Sequence, residues 1–262
     1  MSNRSIHTLL KNWDEECPLT REEAVEVLNL PEQEMDSLME CAYALRTKYK
    51  GKKVSVQLLT NVRSGNCTQN CAYCAQSKDS QAEIEKYKRV SDEKLYGDND
   101  LVDEKHLARH CIGLSGIGFS DEEIEDLADR IREMKKKDTQ ICCSIGFLTE
   151  KQARILKDAG LDRINHNLNS SRSFYPEICT THTYDQRVNN IKMLQSLGFE
   201  ICSGGIVGMG ETKEEKRGQF QRLEGEIAEE SKRLAIAIGG AAIYSAGVNL
   251  FIVPAGLYSG GI

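Results

Sequence analysis

Apolar positions along this chain recur first at helical spacing, then as short runs separated by amphipathic stretches. Within 20–46, Thr20 and Glu23 form a capping-box pattern, and Ala24, Val27 and Leu28 follow at helical intervals. Pro31 can open a second helix with Met35, Leu38, Met39, Ala42 and Leu45 on one face. The basic stretch from Lys48 to Lys53, broken by Gly51, predicts a turn. From Val54 onward, strand-like runs cover 54–60, 110–115, 140–145, 162–168 and 199–207. Three helices are predicted between them. Ser120 and Glu123 open one, with Ile124, Leu127, Ala128 and Ile131 on a face; Thr149 and Gln152 open another that stops at Gly160; the third runs from about Tyr184 to Leu197 and stops at Gly198. No helix is assigned in the highly charged segment 75–108.

Strands alternating with helices imply parallel βαβ units and an α/β fold. Five strands are too few to close an eight-stranded barrel, and the pattern alone also permits a doubly wound sheet. The expected organisation is an N-terminal helical segment at 1–50, a β/α core at 51–216 and a distinct tail at 217–262.

Composition narrows the chemistry. A net charge of −6, with no basic cluster interleaved with aromatics, argues against general nucleic-acid binding. The first twenty residues carry charges and no apolar run of the signal-peptide kind, so a cytoplasmic location is expected. Ten cysteines in a reducing compartment point to metal or redox chemistry rather than disulfides.

Three of those cysteines fall together. Cys67, Cys71 and Cys74 form a C-x3-C-x2-C motif just after the first predicted strand, and the nearest downstream histidine is His106. Iron–sulfur clusters are usually held by four thiolates, so three close ligands leave one iron open to a cofactor or substrate. A structural zinc site needs a fourth ligand, and zinc or chance spacing remains the alternative reading of the triplet alone.

Cys111, Cys142 and Cys202 each lie in a predicted strand, at separations of 31 and 60 residues, or about one and two βαβ units. Equivalent positions on parallel strands face a common interior, so a second thiolate site is expected there. Cys142 and Cys143 must point to opposite faces, and spacing does not choose between them. Inert buried cysteines are the competing reading. In 162–168 and beyond, Asn165, Asn167 and Asn169 are expected on one face, with Ile164, His166 and Leu168 on the other. Inward amides would suit a polar ligand, although an ordinary amide network would also explain them. The run Gly204 to Glu211 after Cys202 reads as a tight turn or a close backbone approach to a ligand.

The spacing of the triplet, with Tyr73 before its last cysteine, is that of radical S-adenosylmethionine (SAM) enzymes. Together with HCIGLSG (110–116), AGLDRINHNLNSS (159–171), TTHTYDQR (180–187) and ICSGGIVGMGE (201–211), the chain resembles the biotin synthase family over about 52–215. That resemblance implies a TIM-like β/α barrel, incomplete in this chain, and sulfur insertion into dethiobiotin to give biotin. It implies a [4Fe–4S] cluster on Cys67, Cys71 and Cys74, with SAM chelating the open iron and yielding a 5′-deoxyadenosyl radical. It also implies an auxiliary cluster, [2Fe–2S] or a variant, on Cys111, Cys142 and Cys202 as the sulfur source. By motif match Tyr73, Asn167, Asn169 and Glu211 fall near SAM, Asn165 near dethiobiotin, and Arg187 near SAM or the auxiliary site's surroundings. A flavodoxin- or ferredoxin-type electron donor and a homodimer follow from the same resemblance. Asn169 stands where many members have aspartate, giving a neutral group at the ribose contact.

After about residue 216 the resemblance stops. The segment 217–262 reads as a charged helix and then an uncharged stretch from Leu234 to Ile262 that is too rich in glycine for one strong membrane helix. A frameshifted or truncated end is expected, and with it weak cluster binding and little biotin synthase activity. A hydrogenase maturase and a non-catalytic iron–sulfur protein are the alternative functions.

Overall fold

The computed structural model describes residues 26–206 apart from 28 and 53, together with 209, 210 and 212. The described elements run in order as a 3-10 turn at Glu32–Glu34, α1 (Met35–Lys50), β1 (Gln57–Arg63), α2 (Asp92–Glu104), β2 (Arg109–Leu114), α3 (Asp121–Met134), β3 (Ile141–Ser144), α4 (Glu150–Asp158), β4 (Arg163–Asn165), α5 (Tyr175–Ile178), α6 (Tyr184–Ser196) and β5 (Glu200–Cys202). All five strands are parallel and lie in sequence order β1-β2-β3-β4-β5, the arrangement expected of successive βα units. A doubly wound sheet, which the pattern left open, would reverse its strand order; this one does not.

The predicted openings at Ser120 and Thr149 are capping boxes, and Thr183 forms a further one that was not predicted. Ser120, Thr149 and Thr183 each accept from the backbone amide three residues on, and Glu123, Gln152 and Gln186 reach back to the cap. Gly160 at φ 95° and Gly198 at φ 74° lie just beyond α4 and α6, where the left-handed backbone suits a residue without Cβ. Strand limits differ from expectation. β1 lies three residues later than 54–60 suggested, and β4 and β5 are only three residues each.

α2 was not foreseen. Ser91 caps it, Leu95 and Val102 are buried, and Gly97 interrupts its centre. Its inner face also buries Asp98 and Asn99, which the sequence presents as solvent-facing polar residues. Thr60 donates to Asp98 Oδ2 at 2.6 Å and contacts His110 Nε2 at 2.9 Å, while Asn99 meets His110 Nδ1 at 3.2 Å. A satisfied polar network thus takes the place of an apolar stripe. In α1, Leu38 and Ala42 are buried as expected, but Met39 is exposed. The helix also continues through Lys50, so the predicted basic turn shrinks to Gly51 and Lys52.

The chain divides into two compact units. One comprises Ser55–Leu168 and Arg172–Ser203, and contains the sheet and α2 to α6. Its core joins Ile112, Ile141, Cys143 and Ile164 from the strands to Ile124, Leu127, Ile131, Ala153, Leu156 and Leu194 from the helices. One face of the sheet is therefore covered by helices. The other unit includes α1, Asn169–Ser171 and the residues from Gly204. Within it Asn169 pairs with the glycine turn, its amide donating to Gly204 O at 3.0 Å and its carbonyl accepting from Ile206 at 2.8 Å.

Among the described residues no helix is long and apolar enough to cross a membrane. The Thr20–Glu23 capping box, Glu211 and the whole segment 217–262 lie outside the described residues.

Candidate functional site

The first cysteine group occupies the loop that leaves β1. Cys74 N donates to Cys71 O at 3.1 Å and Ser77 N to Cys74 O at 3.0 Å, so consecutive turns wind the motif tightly. Lys78 N to Gln69 O at 2.9 Å closes the loop on itself. Cys71 is buried, Cys67 and Cys74 are half-buried, and all three are free thiols. Burial pushes the Cys71 thiol up to about 12, helped by the neighbouring Cys179, and burial also raises Cys74. Thiols so reluctant to ionise alone are stabilised as thiolates by a cation, and an unpaired soft donor set of this kind fits iron. Tyr73 is close to Cys71, and burial raises its phenol strongly.

A second loop packs on this one. Ala72 N donates to Ile178 O at 2.9 Å, and Asn70 Oδ1 accepts from the Thr180 and Thr181 amides at 3.1 and 3.3 Å. Cys179 is thereby held with its sulfur 3.7 Å from that of Cys71. His182 lies beside it, with Nδ1 3.3 Å from Cys179 Sγ and 3.0 Å from Gln69 Oε1. Burial first, then the adjacent Arg187, lowers the His182 pKa to about 4. Arg187 donates to Tyr175 Oη at 2.6 Å, to His182 Nε2 at 3.0–3.2 Å and to the Asn167 carbonyl at 3.1 Å. It also lies over the Phe147 ring at 5.9 Å. Arg187 therefore lies beside the first cysteine group.

The second group is assembled by strand register. Cys111 pairs directly with Cys142, Cys142 with Arg163, and Asn165 with Cys202. Since side chains alternate along a strand, Cys111, Cys142, Arg163, Asn165 and Cys202 share the face turned away from the helices. Cys202 sits one side-chain layer beyond the Cys111–Cys142 pair. Cys143 points the other way, fully buried in the helix-covered core. The Cys142 thiol donates to Cys111, which lowers Cys111 and, with burial, raises Cys142; Arg109 and Arg163 also favour a Cys111 thiolate. Cys111 Sγ further contacts Gln57 Oε1 at 3.0 Å. Arg163 pairs with Glu200, yet its Nε, Arg109 Nε, Asn165 Oδ1 and Ser203 Oγ are buried without a partner among the described residues. Three thiols ringed by guanidinium groups and unsatisfied polar atoms suit an anionic thiolate-bound cluster.

The asparagine row is only partly as expected. β4 ends at Asn165, and Asn169 has φ 66°, so two-residue alternation does not carry through to Asn169. Asn165 is buried, Asn167 is half-buried, and Asn169 is buried and pairs with the glycine turn. His166 is buried on the Phe147 ring at 5.3 Å, and burial, reinforced by Arg187, lowers its pKa to about 3.

Cys179, His182, Tyr175, Arg109 and Arg163 were not singled out by sequence reasoning. Arg109 and Arg163 could have been found, since each stands two residues before an inward position, Cys111 or Asn165. Nothing local marks Cys179, which meets Cys71 across 108 residues.

The profile of the Radical SAM superfamily matches residues 61–223. The chain is 41% identical to a biotin synthase of Bacillus cytotoxicus over 211 residues, covering 79% of this chain and 63% of that protein. Against a biotin synthase of Bacillus subtilis the identity is 40% over 198 residues, covering 75% and 59%. The chain thus spans about three fifths of the length of the curated relatives it matches. Among solved structures, a methylornithine synthase superposes with a TM-score of 0.73 at 15% identity, covering 84% of this chain and 64% of that one. A FeFe-hydrogenase maturase from Carboxydothermus hydrogenoformans gives 0.69 at 21%, covering 84% and 52%. At those identities the structural likeness speaks for a radical SAM type, partial TIM-like barrel and for nothing finer. With the profile covering more than half of the residues, the three-cysteine loop at the end of β1 has its explanation: the chain belongs to the radical SAM superfamily.

Proposed function

We propose that this chain carries the catalytic core of a biotin synthase, inserting sulfur into dethiobiotin. The observation that carries the reading is the gathering of Cys111, Cys142 and Cys202 on one sheet face, away from the loop of Cys67, Cys71 and Cys74. A radical SAM enzyme that only abstracts hydrogen needs one thiolate site; one that also donates sulfur needs a second. The identity of about 40% to biotin synthases supports the same reading. The hydrogenase maturase alternative rests on fold likeness alone, at 21% identity.

In this reading Cys67, Cys71 and Cys74 hold a [4Fe–4S] cluster and leave one iron for SAM. The bound cofactors supply reductive cleavage to a carbon-centred radical, and the protein's part is placement. Tyr73 lies half-buried beside Cys71 in the cysteine loop. Arg187, fixed by Tyr175 and His182, orders the Asn167 carbonyl beside it; the motif match assigns Asn167, Asn169 and Glu211 to SAM, Glu211 lying outside the described residues. Asn165, buried with a free carbonyl oxygen, is the dethiobiotin contact. Cys111, Cys142 and Cys202 hold the auxiliary cluster, [2Fe–2S] or a variant, and Arg109 and Arg163 balance its charge. A flavodoxin- or ferredoxin-type donor, a homodimeric assembly and a cytoplasmic setting complete the proposal.

The test is anaerobic reconstitution with iron and sulfide, followed by assay of 5′-deoxyadenosine and biotin from SAM, dethiobiotin and reductant. Deoxyadenosine is expected together with a small yield of biotin, in keeping with the weak activity expected of this chain, and deoxyadenosine should fall to background in Cys67→Ala, Cys71→Ala or Cys74→Ala. Deoxyadenosine without biotin would remove dethiobiotin as substrate. A reconstituted cluster that yields neither product would favour the non-catalytic iron–sulfur reading.

A further inference from the structure

Cys179 lies outside both cysteine groups, yet its sulfur is 3.7 Å from that of Cys71, at van der Waals contact. The contact is built rather than incidental. The Ala72–Ile178 backbone bond and the Asn70 side chain, which bonds the Thr180 and Thr181 amides and both threonine hydroxyls, tie the two loops together on either side of the pair. A disulfide needs the sulfurs at about 2.05 Å, so forming it requires the two side chains to close the remaining gap.

The same group of atoms has the look of a metal site, since Cys71, Cys179 and His182 place their donor atoms within 4.8 Å of one another. His182 argues against that use. An arginine N–H can only donate, so His182 Nε2, bonded by Arg187 at 3.0–3.2 Å, is an acceptor. The ring proton then sits on Nδ1, facing Gln69 Oε1 and Cys179 Sγ. The nitrogen that faces the sulfurs is a donor, and a guanidinium backs the ring; both features disfavour a cation there. What remains is a close pair of thiols.

We propose that Cys71 and Cys179 form a reversible disulfide when the chain carries no cluster, so that oxidation closes the first cysteine site until it is reduced. Peroxide is the oxidant class, being small enough to reach a buried pair. The Cys179 sulfur attacks one peroxide oxygen, the O–O bond breaks, and a sulfenic acid and one water form. The Cys71 sulfur then attacks the Cys179 sulfur, forming the S–S bond and expelling hydroxide, which takes the Cys71 proton to give a second water. Two thiols lose two electrons and two protons, and one peroxide becomes two waters. A dithiol reductant reverses the step by exchange. The disulfide rests on the geometry alone; its effect on cluster assembly rests on the reading that Cys71 is a cluster ligand.

The full-length, cluster-free chain is treated with one equivalent of hydrogen peroxide, alkylated, digested without reduction and mapped by mass spectrometry. A Cys71–Cys179 cross-linked peptide is expected as the main disulfide product, with Cys67 and Cys74 recovered alkylated. Oxidised protein should take up iron at the first site at least about tenfold less than reduced protein, with recovery after dithiothreitol. Cys71 recovered alkylated, or joined mainly to Cys67 or Cys74, overturns the proposal. So does zinc that copurifies with the cluster-free chain and is lost in Cys179→Ser and in His182→Gln. If the cross-link forms but iron uptake is unchanged, the disulfide stands and the assignment of Cys71 as a ligand fails.

Discussion

Cys142 and Cys143 are adjacent in sequence and face opposite sides of β3, which makes them a matched pair for testing the second site. Cys143→Ala removes one buried sulfur from the helix-covered core and should cost about 1 kcal/mol, while leaving iron at the second site unchanged. Cys142→Ala should lose that iron. Iron content and visible spectra after anaerobic reconstitution decide the matter, and the opposite result would reverse the inward face. The histidines make a separate prediction. Burial is the leading cause that holds His110 at about 4, His166 at about 3 and His182 at about 4, all below an ordinary histidine. Each folded pKa is depressed, so the unfolded chain binds protons more readily between these values and about 6.5. Their stabilising effect is complete above pH 6.5 and is lost as pH falls toward 4. Each histidine contributes a slope of up to about 1.4 kcal/mol per pH unit. Urea unfolding of cluster-free protein at pH 7, 6 and 5 should show a falling midpoint; a flat profile would contradict the burial of these rings.

At the scale of elements, the loops after the strands are fixed by backbone approach as much as by side chains. Gly146 follows β3, and a Cβ there would lie 2.4 Å from the Ile117 carbonyl oxygen, a backbone atom that cannot rotate away. That carbonyl also accepts from Phe147 N at 2.7 Å. Gly146→Ala should therefore destabilise the protein by about 1–3 kcal/mol, the range for overpacking, and should displace Phe147 from His166 and His182. Denaturant unfolding of the variant measures the cost, and a neutral result would show that the 115–119 loop yields easily. α2 makes the complementary point. Its periodicity is weak because Asp98 and Asn99 occupy inward positions, where Thr60, His110 and the Met134 carbonyl satisfy them. A helix held by buried hydrogen bonds does not announce itself through hydrophobic spacing.

For the molecule as a whole, the parallel sheet has a centre and two edges. Among the described residues β1 and β5 pair on one side only, whereas β3 is paired on both sides and buried. On the face that carries the thiols, Leu59 of β1 is 51% exposed, so that face is open at this edge. Hydrogen exchange should accordingly be slowest at 141–144 and fastest, among the strands, at 200–202, because local opening costs least where backbone bonds are solvent-exposed. Faster exchange in β3 than in β5 would mean that the sheet is not organised around its central strand.

Sequence alone determined the alternation of strands and helices, the capping boxes at Ser120 and Thr149, the stops at Gly160 and Gly198, and the spacing of the two cysteine groups. These are local signals, set by side-chain period, backbone conformation and motif spacing. Tertiary structure decided what depends on distant partners. Register placed Cys142 rather than Cys143 beside Cys111, and a left-handed residue turned Asn169 out of the expected row. Pairing with Thr60 and His110 made a charged segment into α2. The meeting of Cys71 with Cys179 depends on two loops brought together by Asn70, and no pattern within either loop encodes that contact.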